Sequence, residues 1–126
     1  MPLPTRIDLT REMPAAPPYP DPFRTAVLGT VFGDRTSVVH RLQAGDRLIL
    51  VPDPPGADIP AVWVHAPGGD VIGHLSLQIA VWLAPWMLAG GRAGASVEKV
   101  HSDDVESWQR LIIRVHCWGA EESVER

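Results

Sequence analysis

The chain has 126 residues, enough for one domain with its own core, and its 45% hydrophobic and 21% charged residues are ordinary for a globular protein. A single cysteine, Cys117, excludes a disulfide framework within the chain and a cysteine-based zinc site, and points to a reducing, cytoplasmic setting. The formal net charge of −4 runs against the basic excess of most phosphate-binding proteins. Residues 24–118 are nearly neutral, however, and the two ends carry most of the deficit.

Residues 1–23 hold proline and scattered charge with no period of 2 or 3.6, which predicts a disordered or extended arm rather than a signal peptide. The longest apolar run, Ile79 to Ala89, is too short to span a bilayer and contains Pro85, so no membrane partner is expected. A folded domain over 24–119 and a charged tail over 120–126 complete the division.

Within that domain, TAVLGTVF (Thr25 to Phe32) has strand composition, and Gly29 inside it marks a bulge or a close backbone approach. Thr36 to Leu42 reads as a helical turn, with Thr36 or Ser37 as its cap. Arg47 to Val51 and Ala61 to His65 are strands rich in Val, Ile, Leu and Trp. Prolines 52, 54, 55 and 60 stiffen the loop between them by fixing φ and removing donors. Pro67-Gly68 suits the centre of a type II turn, which pairs Asp70 to Gly73 back as a short strand.

Ser76 stands before a helix whose Ile79, Leu83 and Trp86 share one face, with Pro85 kinking or restarting it and Gly90-Gly91 ending it. Two further strands are expected, Ala93 to His101 and Arg110 to Trp118, the second alternating with a clear period of two. The order predicts a mainly β fold with one or two helices: a small OB-like antiparallel β-barrel of five to six strands, with a helix plugging one end.

Few residues carry recognisable chemistry. Asp53 and Asp58 flank the stiff loop, either as turn caps bonding their own backbone or as acceptors for ligand hydroxyls. His74, between a strand and a helix, is either a hydrogen-bonded structural residue or a donor to phosphate near a helix N-terminus. Phe32 is either core, which composition favours, or a stacking platform for a base. The five histidines show no metal-ligand spacing, and no nucleophile motif, P-loop or metalloprotease signature is present, so neither an enzyme nor a cofactor is expected.

The stretch from Gly45-Asp46 through Asp53-Pro54, Asp58 and Ala61-Val62 to Ile72-Gly73-His74-Leu75 resembles the HIRAN domain. That domain stands at the N-terminus of some Swi/Snf-type DNA translocases and also occurs as small free-standing bacterial proteins. The resemblance covers roughly Arg24 to Trp118. It implies an OB-like barrel that captures the 3′-hydroxyl end of single-stranded DNA in a DNA-repair setting. Asp58 would bond the terminal hydroxyl, Phe32 would stack on a base and His74 would touch phosphate. Asp53 replaces the usual glutamate, the loop asparagine falls at Pro55 or Gly56, an aromatic is replaced by Ala57, and a helix lysine falls at Leu77. These departures keep a second expectation open: a module of the same fold that binds a protein or a small ligand without recognising DNA ends.

Overall fold

The computed structural model describes residues 22–53, 59–102 and 105–118. Six strands run in chain order: β1 Phe23–Ala26, β2 Arg47–Pro52, β3 Val62–His65, β4 Val71–His74, β5 Arg92–Val100 and β6 Leu111–Trp118. Helix α1 (Arg35–His40) follows β1, α2 (Leu77–Leu88) follows β4, and a 3₁₀ turn (Ser107–Gln109) precedes β6. The strands form one antiparallel sheet in the order β1-β6-β5-β2-β3-β4.

Two features curl this sheet into an OB-like half-barrel. At Arg47 and Leu48, β2 pairs with β5, and from Ile49 to Pro52 it pairs with β3, so one strand serves both halves at a corner. The ends of the sheet then meet. Beyond β1, Leu28 pairs with His74 through two backbone bonds, from Leu28 N to His74 O (2.8 Å) and from His74 N to Leu28 O (3.0 Å). This contact leaves no room for a side chain on Gly73, where a Cβ would overlap the Leu28 carbonyl oxygen and Val27 Cγ1.

Alternation sets which side faces in. Leu48 and Leu50 of β2, Val62 and Val64 of β3, and Leu111, Ile113, Val115 and Cys117 of β6 are buried, as a period of two on a one-sided sheet requires. Helix α2 adds the expected face of Ile79, Leu83 and Trp86, together with Ala80 and Ala84, to the same core. Its opposite side, Leu77, Val81, Pro85 and Leu88, is exposed.

Local details depart from the expectations. The first strand begins at Phe23 and its pairing ends at Leu28, because Gly29 (φ 74°) turns the chain at the sheet's closure; Phe32 therefore lies in a turn, not on a strand. Neither Thr36 nor Ser37 caps α1: Thr36 Oγ1 donates to Thr30 O, Ser37 Oγ donates to Asp34 O, and Asp34 occupies the cap position. The β3–β4 turn closes with Gly69 N donating to Ala66 O, but positive φ falls on Gly69 (102°) and not on Gly68, so it is not type II. A non-positive pair of central residues followed by a left-handed glycine is the three-residue hairpin pattern, consistent with the register shift at Val64/His65. Helix α2 continues through Pro85 to Leu88 without a break.

Candidate functional site at the sheet closure

His74 stands where β4 meets the chain after β1, and its neighbours follow from that position. Its backbone is tied to Leu28, its register partner across the sheet is Trp63, and its ring meets the Trp63 ring edge-on, with centroids 5.6 Å apart and planes at 73°. His74 Nδ1 lies 3.0 Å from Leu75 O. A carbonyl only accepts, so that contact assigns a proton to Nδ1, and the other ring nitrogen, Nε2, lies toward Gly29.

Gly29 sits against the same imidazole. A Cβ there would come within 3.2 Å of His74 Cδ2, 3.3 Å of Nε2 and 3.4 Å of Arg35 Nη1, so histidine and arginine converge over the glycine. Arg35, the first residue of α1, donates from Nη1 to Gly29 O (2.9 Å) and holds its guanidinium 5.6 Å from the Phe32 ring centroid. That separation is within range of a cation–π contact. Phe32 is 63% exposed, so the core reading that composition favoured does not hold. It lines a cleft of about 260 Å³ with Gly33, Asp34, Arg35, Val38, Asp70 and Val71.

Asp53 is half-buried just beyond β2 and accepts from Trp63 Nε1 at 2.9 Å. It is thus bonded to a side chain across the sheet and braces the indole that abuts His74. Asp58 lies outside the described residues. Phe32, Arg35, Gly29, His74, Trp63 and Asp53 form one continuous chain of contacts over the closure.

The sequence points to Phe32, Asp53, Asp58 and His74, but not to Arg35 or to the carboxylates of Asp34 and Asp70. Arg35 was legible in principle: an arginine opening a helix right after Phe-Gly-Asp has its side chain available to the turn. Nothing in the residue types alone brings Asp70 beside Asp34, because α1 is laid against β4 by tertiary packing.

No family model and no curated protein matches the sequence. Among solved structures, the crystal structure of the HIRAN domain of human HLTF is similar at a TM-score of 0.56 and 20% identity, covering 83% of this chain and 81% of that one. The chain has the HIRAN fold. The OB-like barrel implied by the Gly-Asp to Ile-Gly-His-Leu stretch is thus the fold observed. Among the described residues of this HIRAN-like domain, no group of three His, Cys, Asp or Glu side chains is placed to hold a metal, and no helix is long and apolar enough to cross a membrane.

Proposed function

We propose that this HIRAN-like domain is a binding module for single-stranded DNA and takes the 3′-hydroxyl end at the sheet closure. The observation that carries the reading is the exposed Phe32 ring, steadied by Arg35, beside a half-buried His74 whose Nε2 is the ring nitrogen not bonded to Leu75 O. An exposed aromatic offers a stacking surface worth about 1–3 kcal/mol per base. Arg35, and His74 in its imidazolium form, supply donors for a phosphate, and carboxylates supply acceptors for a free hydroxyl. Asp58 takes that role by resemblance, with Asp34 and Asp70 in the adjoining cleft and Asp53 holding Trp63 in place. A carboxylate accepts from a hydroxyl and repels a terminal phosphate, which selects unblocked ends.

The test is fluorescence anisotropy at low salt with 3′-hydroxyl and 3′-phosphate oligonucleotides. The reading expects tighter binding to the hydroxyl end and loss of that preference in Asp58→Asn. Equal affinity for both ends refutes end capture.

A second reading is favoured by α2, whose outward stripe of Leu77 (56% exposed), Val81 (50%), Pro85 and Leu88 (45%) bears no charge. Such a face fits a protein partner. A partner lost on Leu77→Lys with oligonucleotide binding unchanged assigns that face to protein contact.

A further inference from the structure

Five of the eight described cations stand on four neighbouring strands of the sheet. Strands β1, β2, β5 and β6 carry Arg24, Arg47, Arg92, Lys99 and Arg114, while Glu98 is the lone carboxylate on any described strand or helix. The other described carboxylates, Asp34, Asp46, Asp53, Asp70 and Glu106, all lie in turns and loops.

Register arranges these cations. Arg47 is opposite Ser96, Ser96 is opposite Arg114, and Arg114 is opposite Arg24. Three arginines thus share one row across four strands, about 14 Å long at the usual strand spacing. All point outward, because their strand neighbours Leu48, Ala95, Ile113 and Val115 point into the core. Glu98 lies between two of them, 3.2 Å from Arg114 and 3.6 Å from Arg24. Like charges in direct cross-strand opposition are unfavourable, so one carboxylate holding two arginines keeps the row assembled without neutralising it. Further along the same face, exposed His116 pairs with Gly94 and Trp118 pairs with Arg92. The Trp118 ring lies against Gly94, where a Cβ would be 3.7 Å from Cη2.

We infer that this outer face of β1, β6, β5 and β2 binds the phosphodiester backbone of a single-stranded nucleic acid, with the Arg47–Arg114–Arg24 row on successive phosphates and Trp118 available to an unpaired base. Guanidinium groups match phosphate geometry and bind it through paired donors. The Trp118 indole, further along the face and opposite Arg92, selects a strand whose bases are free to stack. The inference needs only internal phosphates and stands apart from end capture at Phe32 and His74.

The experiment uses the full chain and a 3′-phosphate oligothymidylate, so that end capture contributes nothing, with anisotropy followed across a salt series. At about 0.7 in the salt slope per phosphate contact of a single strand, Arg47→Gln/Arg114→Gln lowers the slope by about 1.4. Glu98→Gln, which removes the face's one carboxylate, tightens binding, a gain that a folding defect does not imitate. An unchanged slope in the double variant, weaker binding by Glu98→Gln, or no binding of the strand by the unaltered protein overturns the inference. Equal affinity for a duplex of the same length overturns the single-strand assignment.

Discussion

Phe32 and Gly73 test the site in opposite ways. Phe32 is 63% exposed and lies under the Arg35 guanidinium, so Phe32→Ala leaves stability within about 0.5 kcal/mol of the original in urea denaturation. The same substitution weakens oligonucleotide binding by about 1–3 kcal/mol, the value of one stacked base. Gly73→Ala, at a buried position of β4, acts on stability instead. Its methyl group meets the Leu28 carbonyl and Val27 in a packed closure, and overpacking of that kind costs about 1–3 kcal/mol, read as a lower denaturation midpoint. Asp53→Ala leaves the Trp63 indole N–H without its acceptor, at a cost of about 1–3 kcal/mol, and shifts the Trp63 indole resonance in a nitrogen-proton correlation spectrum. At this scale the sequence marked His74 and Asp53 as polar residues on the loops of a barrel, but gave no sign that Trp63 joins them. That contact depends on the β3–β4 register, which a bulge shifts.

Strands β2, β3 and β6 were legible because each has one buried face, and a period of two survives in residue types wherever that is so. β6 is the clearest case, with Leu111, Ile113, Val115 and Cys117 all buried. The first strand stops short of Phe32, since what ends it is a meeting with β4 that no local pattern encodes. The α1 cap failed for a local reason: threonine and serine hydroxyls donate as readily as they accept, and here both donate to carbonyls. Proline in a helix is expected to break it, yet α2 runs through Pro85, whose ring is exposed and whose missing N–H would have bonded Val81 in the outward stripe. Pro85→Ala therefore stabilises the protein by about 1–3 kcal/mol in thermal or urea unfolding, restoring one helical bond without touching the core.

For the molecule as a whole, the meeting of the sheet's ends decides most. It closes the barrel, turns the chain at Gly29, carries Phe32 into solvent and sets His74 beside Arg35. It is also a short contact: Leu28 and His74 are joined by one bridge, whereas β6 is paired along both edges. Native-state hydrogen exchange is accordingly expected to show the Leu28 and His74 amides opening at lower free energy than amides of β6, through separation of the closure before global unfolding. The central claim is that a DNA end binds at this closure, and nuclear magnetic resonance with a 3′-hydroxyl oligonucleotide tests it most directly. The account predicts shifts in the Phe32 and His74 rings, the Gly29 amide and the Trp63 indole that saturate together. Saturable binding that leaves those four signals unmoved contradicts it.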